Sequence, residues 1–223
     1  MPKHVPRLFV LAGTNGAGKS SIGGETIRSR GGCYFNPDEA AARIRQTQAH
    51  LSATQANSAA WHEGKRLLQH AIAHSLDYNF ETTLGGHSFA KLLKEAARQG
   101  FEVRIWYVGL DSPERHLARV KARVKQGGHA IPESDIRRRF DQSRLQLISL
   151  LPHLTELRVY DNSVEACPHQ GHCPKPRLVL HCKQSPNGSV QVICPSLNAL
   201  AATPAWVKPI AAAAFKHAKT TPK

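Results

Sequence analysis

Residues 13–20 of this 223-residue chain read Gly-Thr-Asn-Gly-Ala-Gly-Lys-Ser and meet the pattern G-x-x-x-x-G-K-[ST] at every fixed position. Residues 8–12 before them, Leu-Phe-Val-Leu-Ala, form an apolar run suited to a buried strand, and a helix can begin at Lys19. Strand, tight turn and helix N-terminus in that order make an anion cradle, because the N–H groups of the turn converge on phosphate oxygens. Gly13, Gly16 and Gly18 let the backbone turn where a Cβ would resist. The predicted nucleotide-binding set is Gly13, Thr14, Asn15, Gly16, Ala17, Gly18, Lys19, Ser20 and Ser21. Lys19 is expected to reach the β- and γ-phosphates of ATP or GTP, and the Ser20 hydroxyl to ligate Mg²⁺.

Composition narrows the setting. No run approaches the roughly 18 apolar residues of a membrane span, and the first strand follows so closely on the N-terminus that a signal peptide is not expected. Five cysteines, an odd number, are scattered along the chain, so a cytoplasmic, reduced protein is the expectation. All 16 acidic residues lie at or before Glu165; residues 1–165 hold 23 Lys/Arg, and residues 166–223 hold seven and no carboxylate. Each part thus carries +7 of the formal +14. That balance favours anionic partners, nucleotides and nucleic acid among them.

Strand and helix patterns alternate after the loop. Helices are predicted over residues 19–29, 38–50, 52–76, 89–99, 113–126 and 131–151. Short strands are predicted at 33–35, 78–81, 101–108 and 157–160. Such alternation implies a doubly wound parallel sheet with helices on both faces, whose ligands sit at the carboxyl ends of the strands. The polar tips at 36–38, 81–83, 109–112 and 161–163 then share one rim with the loop. Residues 1–165 are expected to form this domain, and 166–223 a basic appendage with a β-hairpin at 177–193 and an Ala-rich helix packed on the core.

Phosphoryl transfer needs an acceptor oxygen held in line and a group that takes its proton. Asp38, at the tip of the second predicted strand, suits that role. Glu81 suits water-mediated contact with Mg²⁺ or a hydrogen bond to an acceptor hydroxyl. Residues 115–144 hold nine Lys/Arg against three acids, with Arg115, Arg119 and Arg123 on one helical face and Arg137, Arg138 and Arg139 beyond a Gly127-Gly128 link. This arrangement resembles a lid whose arginines neutralise phosphate charge. Cys167, His169, His172, Cys173, His181 and Cys182 depart from zinc-ligand spacing, so no metal is expected there.

The loop, then Asn36-Pro37-Asp38, Glu81-Thr82-Thr83-Leu84, Gly127-Gly128-His129-Ala130-Ile131-Pro132-Glu133 with Ile136-Arg137-Arg138-Arg139-Phe140, and Tyr160-Asp161-Asn162-Ser163 together resemble the zeta toxin family of P-loop kinases over about residues 5–165. The resemblance implies ATP- and Mg²⁺-dependent phosphorylation of the 3′-hydroxyl of the amino sugar in UDP-N-acetylglucosamine, and a small helical antitoxin as partner. It implies Asp38 as catalytic base and a sugar-nucleotide segment at Glu81, Thr82 and Thr83. A lid clamp is implied from Arg119 or Arg123 and from Arg137 or Arg138. Founding members carry an Arg shortly after that Thr, where this chain has Gly85-Gly86. Other readings are a kinase acting on a nucleoside, another nucleotide sugar or a polynucleotide end, or a nucleotide-gated nucleic-acid-binding protein. With only 14 Phe, Trp and Tyr in all, no stacking platform for nucleic acid stands out.

Overall fold

The computed structural model describes residues 4–24, 34–164, 175–185 and 188–220. Four parallel strands form one side of a single sheet: β1 (Arg7–Ala12), β2 (Tyr78–Thr82), β3 (Glu102–Gly109) and β4 (Glu156–Asp161). Two antiparallel strands, β5 (Arg177–Gln184) and β6 (Val190–Cys194), complete the order β2-β1-β3-β4-β5-β6. The register aligns Ala12 with Thr82 and Tyr107, and Gly109 with Asp161. The carboxyl ends of all four parallel strands therefore finish together, beside the glycine loop.

The helices are α1 (Pro37–Thr47), α2 (Ala53–Ala73), α3 (His87–Arg98), α4 (Pro113–Lys125), α5 (Glu133–Leu150) and α6 (Lys208–Thr220). Their starts follow local chemistry. Ser52 and Gln55 close a capping box on α2, and Ser112 caps α4 with Pro113 in its first turn. Asn36 caps α1 by accepting from the N–H groups of Asp38 and Glu39. Leu8, Val10, Val103, Ile105, Leu157 and Val159 point from the strands into a buried core that includes residues of α2, α3 and α5. On the opposite face Leu11 and Val108 pack with Ala17 and with Ile22 of the helical turn Ser20–Gly24. The helix expected over 19–29 lies outside the described residues beyond that turn.

Two regions differ from the sequence expectation. The strand predicted at 33–35 reduces, among described residues, to one bridge, with the Phe35 N–H donating to Asn79 O and its carbonyl accepting from the Glu81 N–H, both at 2.9 Å. Pro37, which has no N–H and starts α1, stops the ladder there. The C-terminal hairpin is no satellite: β5 pairs with β4 and lengthens the main sheet.

Helix α6 and the residues before it share the central core. Trp206, Val207, Ile210, Ala211 and Ala214 are buried with the sheet residues, so packing, not the weak intrinsic signal of an Ala-rich tail, fixes this helix. Gly109 makes the fit possible, since a Cβ there would lie 2.4 Å from Trp206 Cη2. Gly109→Ala is expected to destabilise the protein by about 1–3 kcal/mol through overpacking. Urea denaturation checks this; an unchanged midpoint would mean that Trp206 is easily displaced.

Candidate active site

The loop after β1 has the backbone that its glycines require. Gly13, Gly16 and Gly18 adopt φ of 140°, 81° and 86°. A Cβ at Gly13 would lie 2.0 Å from the carbonyl oxygen of Val108, so the loop can sit this close to β3 only as glycine. The Gly13 N–H donates to Thr82 O at 3.2 Å, tying the loop to β2 as well. Asn162, at the end of β4, donates to Ala17 O at 2.9 Å, and Arg119 donates to Asn162 O at 2.8 Å. Arg119 thus stands on the β4 side of the loop.

At the loop's end three polar groups interlock. Lys19 Nζ lies 3.4 Å from Glu81 Oε1, and both side chains are buried. Ser20 Oγ donates to Glu81 Oε2 at 2.9 Å, and Asn36 Nδ2 approaches Ser20 Oγ at 3.4 Å. A hydroxyl with an adjacent carboxylate is the oxygen chemistry a Mg²⁺ shared with phosphates and water requires. Among the described residues no group of three or more His, Cys, Asp or Glu forms a metal cage. Cys167, His169, His172 and Cys173 lie outside the described residues, and His181 bonds to Glu156.

Asp38 sits in the first turn of α1 at the edge of a cavity of about 450 Å³. Its Oδ2 accepts from Arg123 at 3.1 Å, and His129 Nε2 is 3.9 Å from its other oxygen. The Nε and one Nη of Arg123 are buried without a hydrogen-bond partner. The cavity also reaches Asn15, Glu81, Thr82, Thr83, Gly85 and Gly86. Thr82 and Thr83 turn the chain, their hydroxyls accepting from the N–H groups of Leu84 and Gly85. The side chain of Ser21 is not among the described features.

The arginines of α5 divide. Arg137 pairs with Glu114 and Glu133 at the surface, away from the cavity lining. Arg138 pairs with Asp135 and reaches Gly85 O at 3.4 Å. Arg139 lines the cavity, donating to Asn15 Oδ1 at 2.8 Å and to Asp135 at 3.0 Å. Burial lowers its guanidinium from the ordinary value, with Asp135 opposing. The motif reading favoured Arg137 and Arg138, whereas helical period points to Arg139, three residues after buried Ile136 and four before buried Ser143.

His116 has no sequence signature, being 101 positions from the residue it holds. It is buried under the loop and its Nδ1–H donates to Asn15 O at 2.8 Å. Burial pulls its pKa down to about 4; the Asn15 bond opposes this, and the Lys19 and Arg119 charges add to it. The unfolded chain takes this proton near 6.5, so the stability of the neutral buried form is complete above that pH. It is lost as pH falls towards 4, a loss of about 3 kcal/mol across that window. His116→Asn keeps a donor and removes the titration, and is expected to flatten the fall between pH 6.5 and 4. Thermal melts across that range check it; an equally steep fall in the variant would contradict this assignment.

Fold and loop together define a P-loop kinase fold. The chain belongs to the zeta toxin family, whose model matches residues 1–171. It is 35% identical over 139 residues to an uncharacterized protein of Haemophilus influenzae, covering 60% of this chain and 92% of that one. The crystal structure of AvrRxo1-ORF1:AvrRxo1-ORF2 with sulphate ions superposes with a TM-score of 0.62 at 14% identity, over 97% of this chain and 81% of that one. The complex of the same proteins with ATP gives 0.62 at 15%, over 96% and 76%. A structure from the PezAT chromosomal toxin-antitoxin system of Streptococcus pneumoniae gives 0.53 at 15%, over 79% and 72%. No described helix is long and apolar enough to cross a membrane.

Proposed function

We propose that this chain is an ATP-dependent kinase that phosphorylates a sugar hydroxyl, with the 3′-hydroxyl of the amino sugar of UDP-N-acetylglucosamine as acceptor. One observation carries the reading: the Lys19–Glu81–Ser20 cluster ends the phosphate loop at a cavity lined by Glu81 and by Asp38, whose carboxylate accepts from Arg123. Family membership supports the nucleotide-sugar acceptor, and the ATP complex of AvrRxo1-ORF1:-ORF2 supports ATP as donor.

In this reading the loop N–H groups and Lys19 hold the β- and γ-phosphates, and Ser20 with Glu81 would hold Mg²⁺, which supplies charge neutralisation between those phosphates. Asp38 accepts the proton of the acceptor hydroxyl as its oxygen bonds to the γ-phosphorus. The bond from that phosphorus to the β,γ-bridging oxygen breaks, and ADP leaves with the electron pair. Arg123 and Arg139 offset the charge spread over the transferred group. Arg139 also stands where the Arg of founding members would compete for space: a Cβ at Gly85 would lie 2.6 Å from Arg139 Cγ. Glu81, Thr82 and Thr83 face the acceptor, and Arg119 serves the nucleotide side. A small antitoxin is the partner class that the PezAT likeness suggests.

The test is direct. The purified protein is incubated with γ-labelled ATP, Mg²⁺ and a panel of nucleotide sugars, nucleosides and oligonucleotides. Label is expected on UDP-N-acetylglucosamine; label on an oligonucleotide alone would replace this acceptor with a polynucleotide end.

A further inference from the structure

We propose that Trp61 is the specificity-determining residue of the acceptor half, a platform for a flat heteroaromatic ring joined to an anionic group. This rests on the kinase reading above and names a recognition element within it. Helix α2 has two working faces. Ala56 and Ala60 pack with Ala40 and Ala41 of α1 as small buried residues. Gly64 approaches Phe35 so closely that a Cβ would lie 2.7 Å from its ring. The two helices are therefore clasped, and α1 carries Asp38. The other face presents Thr54, Asn57, Ser58 and Trp61 to the cavity. Their i, i+3, i+4, i+7 spacing makes one stripe about 10 Å long.

That stripe does not serve the core: three of its members are polar, and Trp61 stays 39% exposed. The indole is nevertheless held in orientation. Its ring meets Phe89 edge-on at 5.8 Å and 87°, and Phe89 stacks on buried Phe80 of β2 at 5.4 Å. The aromatic chain thus ends one residue before Glu81. Lys65 Nζ lies over one face of the indole, 5.7 Å from its centroid, and sets a positive charge there. An oriented, part-exposed indole with an amide on the same stripe and a cation over one face suits a base linked to phosphate better than a bare sugar. Since α1 and α2 are clasped, the separation of ring site and Asp38 is fixed. Acceptors are then selected for a ring and a hydroxyl at matching distance.

The experiment titrates wild type, Trp61→Ala and Trp61→Phe with UDP-N-acetylglucosamine and with N-acetylglucosamine 1-phosphate, in the presence of Mg²⁺ and a non-hydrolysable ATP analogue. Trp61→Ala is expected to weaken the ring-bearing ligand by about 5- to 100-fold, and Trp61→Phe to recover most of the loss. The ring-less phosphate should bind all three proteins alike, and in turnover the loss should fall on KM more than on kcat. Equal losses for both ligands, no loss for either, or no binding of UDP-N-acetylglucosamine to wild type would each overturn the platform. If no acceptor gains phosphate yet binding still depends on Trp61, the platform stands and the kinase reading falls.

Discussion

Replacing Asp38 by Asn is expected to lower phosphate transfer by about 10²- to 10⁴-fold, the range for losing a positioned proton acceptor. The substitution preserves shape and removes only the basic oxygen. Asp38 is no structural keystone: its side chain is 41% exposed, and the α1 cap comes from Asn36. The fold should persist, with a melting temperature close to wild type. ATP binding should persist too, since in the proposed mechanism the loop and Lys19 carry it and the lost carboxylate would only repel phosphate. Steady-state turnover paired with nucleotide titration checks both halves. Wild-type turnover in the variant would remove Asp38 from the mechanism, and loss of ATP binding would assign it to the donor side.

Lys19→Met is expected to lower both activity and stability, because two effects meet in one residue. Lys19 is the buried cation at the loop's end, and in the proposed mechanism its loss strips a counter-charge from the γ-phosphate; a fall on the order of 10³-fold in turnover matches the removal of comparable charge stabilisers. The second effect is on the fold. Glu81 is buried against Lys19, and removing one member of such a pair leaves an uncompensated charge, at a cost of about 3–5 kcal/mol. Lys19→Met/Glu81→Gln separates the two effects. It should recover much of the stability, since neither side chain is then charged, and recover none of the activity. Denaturation midpoints with transfer assays on the wild type, single and double variants check this. Recovery of activity in the double variant would show that Lys19 acts only by neutralising Glu81.

What was legible in the sequence was chiefly local. The glycine pattern at 13–20, the Ser52–Gln55 box and the Ser112-Pro113 start each encode their own backbone, and each forms as its residues dictate. Strand ends follow from short apolar runs bounded by polar tips, so the local pattern itself marks the rim that carries Asp38, Glu81 and Asn162. What escaped depends on distant pairing. Nothing near Arg177 states that β5 will join β4, because that contact is a register between strands separated by a long connection. His116 supports a carbonyl in the loop from another helix, and only the packed fold brings them together. The period of α5 turns Arg139 to the cavity, whereas motif position alone selects its neighbours Arg137 and Arg138. Phe35 pairs once because Pro37 cuts its ladder short, a competition in which the turn signal outweighed the apolar run.

We propose the rim as a phosphotransferase site with a sugar hydroxyl as acceptor. The most direct measurement is phosphorus and proton NMR of UDP-N-acetylglucosamine after incubation with the protein, ATP and Mg²⁺. A new phosphomonoester coupled to the proton at the 3′ position of the amino sugar is expected, formed with equal release of ADP and absent with Asp38→Asn. An unchanged nucleotide-sugar spectrum under conditions in which ATP is bound, or the same product formed at full rate by Asp38→Asn, would contradict it.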